Sequence, residues 1–244
     1  MKRRNLLAAG AAFFAAGCSK IGDSKWFGNL VDGATSWHKH THRAIGSLPL
    51  APEYDRADIS PFFRGNGSQT VDTPAYQAAL ANGFADWTLT VSGLVDREME
   101  LSMDMLRAMP QRTQITRHDC VEGWSAIGEW TGPQLGMLLD MAGIRPDAKF
   151  ILFRCADTLN GAQYYESVDM ADAYHPQTIL AHSLNGEPLP ERNGAPLRAR
   201  IERQLGYKSA KYLTGIEAVA TLEGIGGGEG GYWEDRGYQW YAGI

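Results

Sequence analysis

Apolar and polar residues alternate in several stretches of the chain, and helical spacing appears in others. Trp87-Thr88-Leu89-Thr90-Val91 alternates with period two and predicts a strand, stopped by Ser92-Gly93. Thr113 to Asp119 is a second strand-like run that delivers Cys120 at its end, and Lys149 to Arg154 is a third, leading into Cys155. Leu197, Ala199 and Ile201 alternate with Arg198, Arg200 and Glu202, which predicts a strand with both arginines on one face. Leu135, Leu138, Leu139 and Ala142 share one side of a helix, read as capped by Thr131, with Pro133 in its first turn and Gly143 at its end. Ser102 caps a shorter helix through Met109 that Pro110 terminates, and Leu184-Asn185-Gly186-Glu187 reads as a hairpin turn. Strands and helices intermingle without a regular βαβ rhythm. That favours an α+β class with mixed sheets over a doubly wound fold.

Composition changes this picture little. The chain has 244 residues, enough for one large domain with a real core. A net charge of −5 excludes a general nucleic-acid footprint, so anion binding needs a local basic cluster. Three cysteines, Cys18, Cys120 and Cys155, argue against a disulfide framework. The N-terminus looks like an address. Met1-Lys2-Arg3-Arg4 is basic, Asn5 to Gly17 is small and apolar, and Arg3-Arg4 suggests twin-arginine export to the periplasm. Ala15-Ala16-Gly17-Cys18 resembles a lipobox, making Cys18 a candidate lipid anchor. The expected division is a leader over 1–18, an arm over 19–60 and one domain over 61–244. In the arm, Trp37-His38-Lys39-His40-Thr41-His42 could hold a metal, but the favoured reading is a solvated polar segment.

The candidate chemistry centres on Arg117-His118-Asp119-Cys120-Val121-Glu122-Gly123-Trp124-Ser125. On residues alone, Cys120 is a nucleophile, a metal ligand or a buried thiol. No second cysteine at CxxC spacing points to structural zinc. Asn66, between Gly65 and Gly67, sits in a turn whose backbone can approach a flat ligand. The arginine face and Tyr207-Lys208-Ser209-Ala210-Lys211 form the local cationic cluster a phosphate needs. Taken alone they read as a solvated charged face. Cys155 reads as a small buried hydrophobe, Tyr164-Tyr165 as packing, and His175 and His182 as structural. The aromatic stretch Tyr232 to Tyr241, after a glycine-rich link, is too dense for a free tail and is expected to dock.

Four segments in this order resemble the molybdopterin-binding domain of the sulfite oxidase family. They are Cys120 to Ser125 with Trp130-Thr131-Gly132, Asn185 to Pro190, Asn193 to Arg198, and Lys208 to Lys211. The likeness covers about residues 60–244 and is strongest to the family's bacterial periplasmic branch, the catalytic subunits of protein-methionine-sulfoxide reductases. It implies a single domain with mixed sheets and without the C-terminal dimerisation domain of animal and plant sulfite oxidases. It implies that Cys120 is the one protein ligand of molybdenum, with a single molybdopterin supplying further sulfurs. Asn66, Cys155, Asn193, Arg198, Lys208, Ser209, Ala210 and Lys211 would hold the pterin and its phosphate, and Tyr164 matches the family's active-site tyrosine. Cys155 stands where the reductase branch has threonine, and the aromatic-acidic pair that follows the reductases' first asparagine has no counterpart after Asn66. Sulfite oxidases follow their cysteine with basic residues; here Val121-Glu122-Gly123-Trp124 follows instead. A carboxylate there disfavours a sulfite dianion, so the expected substrate is a neutral S-oxide or N-oxide, small or protein-bound. Sulfite oxidation, a non-redox pterin-binding scaffold and a cysteine hydrolase are the alternatives. With no haem CxxCH motif, electrons would come from a separate partner such as a membrane cytochrome b.

Overall fold

In a computed structural model of the chain, residues 49–244 are described, together with Asn29 and Gly33. The chain divides into two compact units, Met1–Pro49 and Leu50–Ile244, and every described strand lies in the second. The leader, Cys18 and the histidine-rich stretch 37–42 lie outside the described residues. Among the described residues no helix is long and apolar enough to cross a membrane.

Three sheets and four short helices form the second unit. The largest sheet has the order β2-β1-β11-β5-β6, from β1 (Thr88–Gly93), β2 (Met99–Ser102), β5 (Phe150–Leu159), β6 (Ala162–Asp169) and β11 (Leu213–Val219). Strand β1 runs parallel to β11 while all other pairs are antiparallel, so the sheet is mixed as expected. A second sheet, β3-β4-β8-β9, is built on the long hairpin β3 (Gln111–Cys120) and β4 (Trp124–Pro133), extended by β8 (Ser183–Leu184) and β9 (Glu187–Pro188). A two-stranded piece pairs β7 (Ile179–Ala181) with β10 (Arg198–Arg200). The helices are α1 (Pro74–Ala81), α2 (Met103–Ala108), α3 (Leu135–Ala142) and α4 (Met170–Ala173).

Most local signals act as read. Ser102 caps α2 by accepting from Met105 N at 3.2 Å, and Gly143 closes α3 in the left-handed conformation. Asn185 and Gly186 both take positive φ (55° and 81°), the backbone of a tight two-residue hairpin between β8 and β9. Two expectations need correcting. Thr131 and Pro133 belong to β4, and the N-cap of α3 is Gln134, because β3 and β4 pair over their whole length from Cys120↔Trp124 to Gln111↔Pro133. A ten-residue ladder outweighs one capping side chain. The arginine face of β10 is not solvated: Arg198 and Arg200 are fully buried, with their guanidinium carbons 5.1 and 4.4 Å from the Trp130 ring centroid.

The main core packs α1, α2 and α3 against the large sheet through residues such as Leu89, Leu106, Leu138, Ile151 and Phe153. A smaller cluster of Phe63, Trp130, Ile179 and Leu184 lies on the β3–β4 sheet. Residues 53–60, the end of the expected arm, lie along the hairpin: Tyr54 N donates to Ile115 O at 2.9 Å and Ile127 N to Ser60 Oγ at 2.9 Å. The C-terminal stretch docks as expected, with Tyr232, Glu234 and Tyr241 buried.

Candidate active site

Cys120 is the last residue of β3. A three-residue loop returns the chain to β4, and Gly123 (φ +85°) donates its N–H to Cys120 O at 3.0 Å to close the turn. Ser125 Oγ donates to Asp119 Oδ1 at 2.5 Å and Arg117 Nε to Asp119 Oδ2 at 2.9 Å, fixing the hairpin end beside the cysteine. Trp124 Nε1 donates to Glu122 Oε2 at 3.0 Å and so orients that carboxylate. The thiol therefore sits on a rigid corner at the edge of a cleft of about 570 Å³ of free space, part of it open to solvent.

The cleft gathers segments far apart in sequence. Asn66, Gly67 and Ser68 come from one loop, Val121 and Glu122 from the β3–β4 turn, and Asp157 and Tyr164 from β5 and β6. Tyr207, Ser209 and Lys211 come from the segment before β11, and Trp233 and Tyr238 from the C-terminal stretch. Behind the lining, Arg198 ties two of these together, with Nη1 donating to Asn193 O at 2.9 Å and Nη2 to Ser209 O at 3.1 Å. Lys211 Nζ donates to Ser68 O and, at 3.1 Å, to Arg192 O, joining the first loop to the Asn193 turn. Ala210 contributes backbone, accepting from Ala199 N at 2.8 Å.

Burial shapes the electrostatics. It raises the Cys120 thiol's pKa; the Glu122 backbone lowers it and the Glu122 carboxylate raises it, with Arg198 and Arg64 pulling down. Burial and then Arg198 push Lys211 down to about 7, against the pull of Asp157. Burial and Arg200 bring Arg198 to about 9, so it stays charged at neutral pH. Burial raises Asp157, and Ser68, which donates to it, and Lys211 only partly offset this. Two cations thus stand beside the cleft bound to carbonyl oxygens and no carboxylate. Asn66 Oδ1, Asn193 Oδ1, Arg198 Nε and Asp157 Oδ1 are buried there without hydrogen-bond partners. The unmet oxygens suit a polar ligand that offers N–H or O–H donors, while Arg198 Nε and the two cations suit an anionic part of it.

Of the expected site residues, Cys120, Asn66, Tyr164, Ser209 and Lys211 line the cleft, while Asn193, Arg198 and Ala210 lie directly behind it. Two side chains go elsewhere. Lys208 is fully buried between Glu166 (2.7 Å) and Glu234, so its ammonium is spent on carboxylates and is not offered to a phosphate. Cys155 belongs to the main core, outside the cleft lining, and burial raises its thiol well above the ordinary range. Sequence reasoning assigned no role to Asp157, His118 or the lining pair Trp233 and Tyr238. For His118 a signal existed: it precedes Cys120 by two residues, so both project from the same face of β3. Its Nδ1 lies 2.6 Å from Arg200 Nη1, which donates to it. Burial and Arg200 lower its pKa well below the ordinary value, and its buried Nε2 has no partner. A neutral histidine held by arginine cannot generate a Cys120 thiolate, which counts against a hydrolase.

Cys120 is the one cysteine that lines the cleft, and among the described residues no group of three or more His, Cys, Asp or Glu side chains could hold a metal by itself. A family model for the oxidoreductase molybdopterin binding domain matches residues 75–223. This chain belongs to that family. The residues present fit its cofactor: a thiol at the cleft edge, two cations without carboxylate partners, and unpaired amide oxygens on both flanking turns. Curated relatives include a protein of Azospira oryzae provisionally named protein-methionine-sulfoxide reductase subunit YedZ1, 45% identical over 159 residues (65% of this chain, 56% of that protein). The protein-methionine-sulfoxide reductase catalytic subunit MsrP of Xanthomonas axonopodis pv. citri is 35% identical over 164 residues (63% of this chain, 51% of that one). MsrP of Campylobacter jejuni is 32% identical over 155 residues, covering 57% and 52%. The chain thus spans about half the length of the curated relatives it matches. Among solved structures, the sulfane dehydrogenase SoxCD of Paracoccus pantotrophus shares the fold, with TM-score 0.52 and 23% identity over 57% of this chain and 40% of that one.

Proposed function

We propose that this protein is a molybdenum oxidoreductase that reduces a neutral S-oxide or N-oxide, with Cys120 as the sole protein ligand of the metal. The observation that carries the reading is the placement of the Cys120 sulfur on a cleft whose adjoining cations, Arg198 and Lys211, have only carbonyl partners. When bound, the molybdenum cofactor supplies two-electron oxygen-atom exchange. The protein's part is to hold it and set its surroundings. Arg198 and Lys211 neutralise the anionic end of the pterin, and Asn66, Asn193 and Ser209 take its polar edges. Tyr164 lines the cleft with its ring, while its O–H donates to Tyr207 O at 2.9 Å. Reduction of an oxide consumes protons, and that phenol, held un-ionised by burial and the neighbouring Glu166, donates one only by turning its O–H away from Tyr207 O.

Two features support an uncharged substrate. Glu122 and Asp157 both line the cleft, and carboxylates there repel a sulfite dianion. The names of the Azospira and Xanthomonas relatives agree with a sulfoxide, free or within a protein. The remainder of the proposal is export to the periplasm by the leader over 1–18, with Cys18 as a lipid anchor, and electrons from a membrane cytochrome b. The test is to express the protein in a host that makes the cofactor, measure molybdenum per chain, and screen sulfoxides, N-oxides and sulfite with a viologen donor. Molybdenum near one per chain and oxide-dependent dye oxidation, both lost in Cys120→Ser, are expected. Full activity in Cys120→Ser, or turnover of sulfite alone, would overturn the reading.

A further inference from the structure

The cleft lining divides by chemistry and by origin. Its polar members come from the Asn66 loop, Asp157 and the Ser209–Lys211 stretch, whereas an aromatic set comes from β6, the segment before β11 and the C-terminal stretch. The rings form one continuous chain. Tyr164 stacks on Tyr232 (5.3 Å, 21°), Tyr232 meets Trp233 edge-on (5.3 Å), Trp233 stacks on Tyr238 (5.1 Å, 26°), and Tyr238 meets Tyr207 edge-on (5.3 Å). The buried rings have spent their hydroxyls, Tyr207 Oη donating to Gln239 O at 2.7 Å. Trp233 and Tyr238 differ from them: they line the cleft and remain partly open, Tyr238 at 37% exposure.

The C-terminal stretch is built to hold this pair still. Tyr238 N donates to Trp233 O at 3.1 Å, so one tight turn sets the two rings parallel. Between them Glu234 is buried on Lys208, which Glu166 of β6 also holds. Gly231 lies so close that a Cβ there would stand 2.1 Å from Glu234 Oε2 and 2.7 Å from Glu166 Oε2, which fixes where the stretch enters. Parallel rings half-open to water, rigidly mounted beside a thiol, form a preorganised seat for a flat or branched apolar group.

We infer that Trp233 and Tyr238 determine specificity: they seat the apolar substituent of the oxide, so that sulfoxides carrying an aryl or bulky alkyl group are preferred over small hydrophilic ones. This rests on the proposed function for the identity of the reacting group, but the seat itself is measurable without turnover.

Binding of methyl p-tolyl sulfoxide and of dimethyl sulfoxide to molybdenum-loaded protein is compared by calorimetry in wild type, Trp233→Ala, Tyr238→Ala and Trp233→Phe, with metal content measured for each. The aryl oxide is expected to bind about tenfold or more tightly in wild type. The preference should shrink to about threefold or less in both alanine variants and persist in Trp233→Phe. Absence of a preference in wild type, or an unchanged preference in both alanine variants, would overturn the assignment. So would loss of metal from both alanine variants with normal loading of Trp233→Phe, because the rings would then serve cofactor retention. If the preference behaves as stated while no oxide is reduced, the seat stands and the proposed reaction fails.

Discussion

Lys208 and Lys211 stand three residues apart, on the same segment, and both are deeply buried, yet their surroundings are opposite. Lys208 lies between two carboxylates, Glu166 and Glu234, and these raise its pKa above the ordinary lysine value despite burial. Lys211 donates to the carbonyls of Ser68 and Arg192, and burial with Arg198 nearby brings it to about 7. The first charge is satisfied by the fold. The second is placed at a cleft with carbonyl partners and no carboxylate in direct contact, where an added anion would favour its charge. A basic motif read from sequence therefore splits into a cation neutralised by the fold and one left without a carboxylate partner, and buried partners, not residue type, decide which is which.

The comparison can be broken most forcefully at Lys208. Lys208→Met leaves two buried carboxylates facing each other, at a cost of about 3–5 kcal/mol and a fall of roughly 10 °C in Tm. Thermal unfolding that matches wild type would show that the cluster holds nothing. Lys211→Met should do the reverse. The cofactor-free protein should be no less stable, while cofactor retention through gel filtration in moderate salt should drop about tenfold or more. Normal retention would remove Lys211 from the site.

The pH dependence sharpens the contrast. The folded pKa of Lys211, about 7, lies below its ordinary 10.5. Between those values the unfolded chain binds the additional proton, so cofactor-free stability gains a contribution that grows as pH rises through this window. An anion beside Lys211 restores its charge, so pyrophosphate binding at pH 8 should take up a sizeable fraction of a proton. Calorimetry in buffers of different ionisation heat measures this, and Lys211→Met should abolish it. The smallest effect is expected at Cys155. Packed in the core and outside the cleft lining, Cys155→Ala should cost about 1 kcal/mol and leave kcat/KM within about twofold.

Much of the fold was legible because local and tertiary signals agree. The Ser102 cap, the Asn185-Gly186 turn and the Gly143 stop all act where the residues place them. Thr131 failed as a cap because the full-length pairing of β3 with β4 claimed it, and no local pattern announces that ladder. At the cleft, Cys120, Asn66 and Lys211 are brought together as the family resemblance implies, whereas the residues alone left Cys120 open and read the other two as a turn and a solvated face. The burial of Arg198 and Arg200 was not legible, since alternation shows which residues share a face but not what covers it; here the cover is Trp130. Nor could Trp233 and Tyr238 be linked to Cys120, because a buried ion pair more than twenty residues apart, Lys208 with Glu234, brings their stretch to the cleft.

The central claim is that the Cys120 sulfur completes a metal sphere otherwise supplied by a pterin. Molybdenum X-ray absorption on wild type and Cys120→Ser, loaded in the same host, tests it most directly. The account predicts one sulfur neighbour fewer in the variant, with Lys211→Met unchanged in whatever metal it retains. An identical sulfur shell in wild type and Cys120→Ser would contradict it.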